Sequence, residues 1–291
     1  MSFPANEIKI IECPRDAMQG IRDFIPTTIK IKYLQRLLEV GFHTLDAGSF
    51  VSPKAVPQMS DTDVVLRHLD VSSSATKILA IVANIRGAEQ ASAHEKVHYV
   101  GYPLSVSEIF QKKNTNKTIA EALPDVSAIQ DITLRNDKEF VVYLSMAFGN
   151  PYQEPYHEEA LSEYVYKLSH MGISIISLAD TVGKACTDMI GRIFRNLITE
   201  FPAVEFGAHF HSTPDTAYQK IHAAWSNGCR RFDVTLSGIG GCPFAEDKLT
   251  GNISTQALLQ YCTDHNIPTP INIEALKSAN QISEEIFSTY H

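Results

Sequence analysis

The chain has no CxxC pair. Its five cysteines (Cys13, Cys186, Cys229, Cys242 and Cys262) are scattered and odd in number. That pattern argues against a zinc ribbon or a disulfide framework and suits a reducing compartment. No apolar run approaches the roughly 20 residues needed to cross a bilayer. Met1–Ile10 has neither the basic and apolar make-up of a secretory signal nor an Arg-rich amphipathic character, so a cytoplasmic location is expected. Basic residues are in the minority, 25 against 33 acidic, for a net charge of −8. Nucleic acid and membrane surfaces are therefore excluded as main partners, while a local basic cluster can still take an anionic small molecule. Nucleotide loops are missing too: Pro243 stands where G-x-G-x-x-G needs its third glycine, and no G-K-[ST] occurs. With no Pro- or Ser-rich linker and no internal repeat, one domain over 1–291 is expected.

Short β-branched, apolar runs recur along the whole length. They are Ile8–Cys13, Thr44–Ala47, Lys77–Ala83, Lys96–Gly101, Phe140–Met146, Ser174–Ala179, Glu205–His211 and Arg231–Leu236. Amphipathic stretches lie between them. Leu34, Leu37 and Leu38 form one stripe and Leu161, Val165 and Leu168 another, with a third of Ala217, Ile221, Ala224, Trp225 and Gly228. Eight strands alternating with helices predict an α/β fold, a (β/α)8 TIM barrel, rather than an open sheet. Tyr102–Asp137 departs most from the repeat, with two helical patterns at Val106–Lys112 and Ile119–Leu134. An extra C-terminal helical segment is expected after Asn252, one helix to Asp264 and another over Ile273–Phe287 packed across the barrel.

In such a barrel the active site lies at the C-terminal ends of the strands, so polar residues there carry the chemistry. The first strand ends in Glu12-Cys13-Pro14-Arg15-Asp16. Arg15 beside Asp16 is either a surface ion pair or a carbonyl-polarising cation next to a hard oxygen ligand. Asp46 ends the second strand and Asp180 the sixth, each either a helix cap or a functional carboxylate. His209-Phe210-His211 ends the seventh. Alternation along a strand puts both imidazoles on one face, a ready pair of metal ligands or a coincidence of the core. Asp16, His209, His211 and an amide oxygen such as that of Asn252 make a mixed O/N set suited to Mg²⁺ or Mn²⁺. Ser237–Phe244 reads Ser-Gly-Ile-Gly-Gly-Cys-Pro-Phe, a flexible tip carrying Cys242. A thiol with an ordinary pKa of ~8.5 stays protonated at neutral pH and can act as a general acid towards a carbanion.

Together these segments resemble the hydroxymethylglutaryl-CoA lyases of the DRE-TIM metallolyase superfamily, in colinear order over nearly the whole chain. Glu12–Gln19 looks like their first-strand motif and Leu178–Gly183 like their Leu-Gly-Asp-Thr-x-Gly. Ser237–Phe244 matches the segment around their catalytic cysteine. Ala47–Met59 is the most specific stretch. The resemblance implies a divalent cation held by Asp16, His209, His211 and Asn252, with Arg15 stabilising an enolate oxygen. Cys242 would then handle the proton at C2 of acetyl-CoA. It also implies a homodimer and a CoA-thioester substrate, 3-hydroxy-3-methylglutaryl-CoA, cleaved to acetyl-CoA and acetoacetate as in leucine degradation. Asp46 or Asp180 would be the base for the hydroxyl proton.

The chain departs from that pattern at several points. Arg-Asp-Gly becomes Arg15-Asp16-Ala17, Asp46 replaces a Glu, and Ser212-Thr213-Pro214-Asp215 follows His211. Gln256 stands where an acidic residue is expected, and Glu246-Asp247-Lys248 adds charge beyond the cysteine. These changes bear on acyl specificity. They leave room for a related metallolyase or aldolase acting on another 3-hydroxyacyl-CoA or a 4-hydroxy-2-oxo acid, or for a non-catalytic barrel that binds a metabolite.

Overall fold

The protein was analysed as a computed structural model, which describes residues 7–241 and 251–290. Among the described residues eight strands occur: β1 (Lys9–Glu12), β2 (Thr44–Phe50), β3 (Lys77–Val82), β4 (Val97–Ser105), β5 (Glu139–Ser145), β6 (Ile175–Asp180), β7 (Glu205–Phe210) and β8 (Arg231–Val234). Each pairs in parallel with the next, and β8 returns to β1, so the sheet is a closed barrel as the alternation predicts. Runs such as Ile78–Val82 are apolar on both faces because both faces are covered, one by helices and one by the barrel interior. The predicted strand ends move most in three places. β2 runs past Ala47 to Phe50 because Gly48–Phe50 pair with Ala80–Val82. β4 continues to Ser105 because Tyr102–Ser105 pair with Val142–Ser145. β8 stops at Val234, where the chain tightens into a turn and the Leu236 N–H donates to Glu12 Oε1 at 2.8 Å.

The helices are α1 (Pro14–Met18), α2 (Thr27–Leu38), α3 (Thr62–His68), α4 (Ile85–Ser92), α5 (Glu108–Thr115), α6 (Ile119–Arg135), α7 (Glu158–His170), α8 (Thr187–Glu200), α9 (Pro214–Trp225), α10 (Thr255–Asp264) and α11 (Ile273–Thr289). The predicted stripes are buried on α2 (Leu34, Leu37 and Leu38) and on α7 (Leu161, Val165 and Leu168). The third is buried only at Ala217, Ile221 and Ala224: Trp225 at the end of α9 is half-buried, and Gly228 lies beyond the helix and is exposed. The irregular stretch after β4 holds α5 and α6. A capping box between Thr118 and Glu121 starts α6. α11 was expected across the barrel but lies beside α2 on its flank, where Tyr33 Oη is 3.4 Å from Ser283 Oγ. Its buried face of Ala275, Ala279, Ser283 and Ile286 is small enough for that close packing.

The barrel interior is sided. Leu79, Ile81, Tyr99, Val141, Tyr143 and Ile175, all from β3–β6, form an inner apolar cluster separate from the mantle under the helices. In β7 and β8, Phe206, Ala208, Phe210, Phe232 and Val234 belong to the mantle. Alternation therefore turns Gly207, His209, Arg231 and Asp233 inward. One wall of the barrel is packed and the other carries ionisable groups.

Candidate metal centre and active site

The first strand delivers two charged side chains at once. Pro14 at the first position of the one-turn helix α1 sets its φ, and Arg15 and Asp16 follow on that turn, both buried. Arg15 Nη2 meets Asp46 Oδ2 at 2.6 Å, with Nε 3.0 Å from the same oxygen. Its Nη1 donates to Asp16 Oδ1 at 3.1 Å and to Gln19 Oε1 at 2.8 Å. Burial works against the charge on Arg15, but the two carboxylates outweigh it. A register shift in β2 between Asp46 and Gly48 turns the strand here, and Gly48 lies against Thr62, whose Cγ2 would stand 2.6 Å from any Cβ. Burial pushes the Asp46 carboxyl up to about 6, with Arg15 opposing.

Asp16, His209 and His211 converge, each offering one ligand atom, and those atoms lie within 4.8 Å of one another. Burial would raise the Asp16 carboxyl, but Arg15, His209, His211 and Asn252 hold it below the usual range. His209 Nδ1 bonds Asp233 Oδ2 at 3.0 Å, which leaves Nε2 as its free ligand atom. Burial lowers the His209 pKa, yet Asp233 and Asp16 raise it overall. Asn252 reaches the cluster because Gly251–Ile253 pair with the end of β7. Ser212 N donates to Gly251 O at 2.7 Å and Ile253 N to Phe210 O at 3.2 Å. Its Nδ2 donates to Asp16 Oδ2 at 2.7 Å, so a ligand role requires the amide to rotate and present its oxygen.

The glycine loop closes on the same spot. Gly240 has φ +112°, and a Cβ there would stand 2.7 Å from Asn252 Nδ2 and 3.0 Å from Asp16 O. Only glycine fits. Cys242 itself lies outside the described residues.

Asp180 was read as a candidate base, but its side chain turns away from the cavity. Its Oδ2 accepts from Lys220 Nζ at 2.6 Å and from Ala185 N at 3.1 Å. Lys220 also donates to His211 O at 2.9 Å and Gly183 O at 3.1 Å, tying the ends of β6 and β7 together. The sequence reading missed Lys220, although a lysine within the apolar stripe of α9 is a visible anomaly. It also missed Asp233, a carboxylate at an inward position of β8. Glu12 was quoted only as part of a motif. It is fully buried, and its oxygens accept from Leu236 N and from Thr255 Oγ1 (2.6 Å), joining β1 to the chain after β8. Burial pushes its carboxyl up to about 8.

Above the cluster is a cavity of about 460 Å³. Arg15, Asp16, His209 and His211 line it, with Tyr143, Ser49 and Thr181 among the wall residues and Lys113–Lys117 at another part of its lining. Neither Asp46 nor Asp180 lines it. Asp46 reaches it only through Arg15.

A closed parallel barrel with an Asp–His–His cluster beside a buried arginine at its C-terminal mouth defines the class: a barrel enzyme with a candidate divalent-metal centre. The profile of the HMGL-like family matches residues 7–282, and the chain belongs to that family, a family of metal-dependent lyases; it is a lyase. It is 33% identical over 279 residues to an (R)-citramalyl-CoA lyase of Chloroflexus aurantiacus, covering 92% of this chain and 86% of that one. Against the mitochondrial hydroxymethylglutaryl-CoA lyase of Rattus norvegicus the identity is 31% over 275 residues, covering 94% and 83%. The HMG-CoA lyase structure from Bacillus subtilis superposes with a TM-score of 0.90 at 30% identity, covering 98% of this chain and 95% of that one. That of an Acinetobacter baumannii HMG-CoA lyase, in complex with coenzyme A and 3-methylmalate, gives 0.89 at 29%, covering 98% and 92%. No described helix is long and apolar enough to cross a membrane.

Proposed function

We propose that the chain is a divalent-metal-dependent carbon–carbon lyase that cleaves 3-hydroxy-3-methylglutaryl-CoA to acetyl-CoA and acetoacetate. The observation that carries the reading is the convergence of Asp16, His209 and His211 within 4.8 Å, next to Arg15. Two imidazoles and a carboxylate held anionic are a donor set that fits Mg²⁺ or Mn²⁺, with Asn252 as the fourth ligand once its oxygen turns inward. When bound there, the cation supplies Lewis acidity to the substrate's hydroxyl and carboxylate oxygens.

The chain's own residues do the rest. Asp233 fixes the His209 ring through Nδ1. Asp46 and Gln19 hold the Arg15 guanidinium at the cavity floor, where it meets the thioester oxygen as negative charge develops on it. The C3 hydroxyl gives its proton to water in the cavity, and collapse of the resulting oxyanion to a ketone breaks the C2–C3 bond and leaves a thioester enolate. A proton from the Cys242 thiol at C2 completes acetyl-CoA, and closure of the glycine loop excludes bulk water. The proton that the thiol gives up is replaced from solvent. Asp46 and Asp180 act as positioning groups, since neither lines the cavity. The lysines of 113–117 suit the phosphates of coenzyme A, a ligand present in the Acinetobacter relative.

The citramalyl-CoA lyase relative supports a second reading, in which a carboxylate sits directly on C3 and the products are acetyl-CoA and pyruvate. One assay separates them. The purified protein is given each thioester, and acetoacetate and pyruvate are measured with and without chelator. Acetoacetate release that is lost to chelator and restored by Mg²⁺ or Mn²⁺ supports the first reading. Pyruvate release alone replaces it with the second.

A further inference from the structure

We propose that Arg231 is a positioning residue for the metal centre, acting on His209 through Asp233 and a small cluster of buried water inside the barrel. The inference rests on the reading of Asp16, His209 and His211 as metal ligands. Tyr143, Ser177, Gly207 and Arg231 are successive register partners across β5, β6, β7 and β8, so they form one row around the wall. Gly207 makes room in that row: a Cβ there would stand 3.2 Å from Arg231 Cδ and 3.0 Å from Ser177 Oγ. Arg231 is 0% exposed, and its guanidinium carbon lies 5.4 Å from the centre of the Tyr99 ring.

The polar atoms of this row are unmatched. Nε, Nη1 and Nη2 of Arg231 have no hydrogen-bond partner among the described protein groups. The same holds for Ser177 Oγ, Tyr143 Oη, Glu205 Oε1 and Asp233 Oδ1. Tyr143, Asp233 and Glu205 are the strongest electrostatic neighbours of the Arg231 charge. A guanidinium sealed in a barrel with every N–H unmet is strongly unfavourable, so the space holds a polar occupant. The chemistry of the row says which one. An anion would suit the arginine, serine and tyrosine donors but would face the carboxylates of Asp233 and Glu205. Water serves donors and acceptors together.

Asp233 then has a partner on each oxygen, His209 Nδ1 on Oδ2 and Arg231 through water on Oδ1. Without Arg231 the carboxylate loses one anchor and can turn, and the imidazole it aims turns with it.

The test uses metal-free protein titrated with Mn²⁺, the free ion being followed by electron paramagnetic resonance. Arg231→Met should weaken binding about 10-fold, as loss of an outer partner of a ligand does. Mere removal of a positive charge near a cation would tighten it. In an Asp233→Asn background the same substitution should change affinity by less than about twofold. Unchanged or tighter binding in the single variant, or an equal loss in both backgrounds, overturns the proposal. Should Arg231→Met fail to fold, Gly207→Ala displaces the arginine stem instead, with the same loss expected and an unchanged affinity counting against. A crystal structure should show ordered water between Arg231 and Asp233 Oδ1, and protein partners on all three guanidinium nitrogens would refute it. Wild-type protein that binds no Mn²⁺ would refute the metal centre itself, an outcome distinct from normal binding with a silent Arg231 variant.

Discussion

Glu12→Gln should stabilise this protein, and more so as the pH rises. Glu12 is fully buried at the end of β1, and its two oxygens accept from Leu236 N at 2.8 Å and Thr255 Oγ1 at 2.6 Å. Burial pushes the carboxyl from its ordinary 4.5 up to about 8, the two hydrogen bonds only partly opposing it. A carboxyl whose folded pKa is raised contributes stability that is fully present below its unfolded pKa. That stability is lost as pH climbs through the folded value. The window therefore runs from about pH 4.5 to 8. At about 1.4 kcal/mol per unit, the wild type loses on the order of 3 kcal/mol by pH 7 and about 5 by pH 8. Glutamine keeps the contacts, its amide oxygen facing Leu236 N and its nitrogen facing the threonine hydroxyl, and it has no proton to lose. Urea-unfolding midpoints of both proteins at pH 5, 6, 7 and 8 measure the effect. The gap should be near zero at pH 5 and widen steadily in favour of the variant. Parallel pH curves, or a variant less stable throughout, would show that Glu12 is ionised at no cost in the fold and refute the reasoning.

His211→Ala should weaken Mn²⁺ binding by at least about tenfold, and equal affinity by titration would remove His211 from the ligand set. Lys220→Met strands Asp180 as a buried, unpaired carboxylate and should cost about 3 kcal/mol. Adding Asp180→Asn should restore much of that in thermal melts, and a double variant no better than the single would show that the pair does not carry the cost. Cys242→Ala should abolish turnover of the thioester while leaving Mn²⁺ affinity and melting temperature unchanged. Normal turnover would end the proton-transfer role.

The barrel was legible because parallel strands buried on both faces leave a repeating apolar signature, and β3 through β6 carry it plainly. The candidate ligands stood out for a related reason: His209 and His211 break that signature with one spacing, and a period of two allows only one shared face. What stayed hidden were groups whose meaning depends on a partner far along the chain. Glu12 acts on Leu236 and Thr255, 224 and 243 positions away, and Lys220 reaches back 40 to Asp180. No local pattern marks such pairs. Asp46 and Asp180 show the converse. Expected at strand ends, they read as helix caps or bases, but Asp46 lies inside β2 and only Asp180 ends its strand. Position along a strand fixes only where a residue sits. Which way its carboxylate faces is decided by the cation that claims it, Arg15 for one and Lys220 for the other. The sided interior adds the last step. β3–β6 contribute apolar chains and neutral hydroxyls to the interior, so the ionised groups around the candidate metal centre find their charged counterparts on the wall formed by β7, β8, β1 and β2. The candidate metal ligands, the aspartate bonded to His209 and an unmatched arginine are therefore crowded onto one wall.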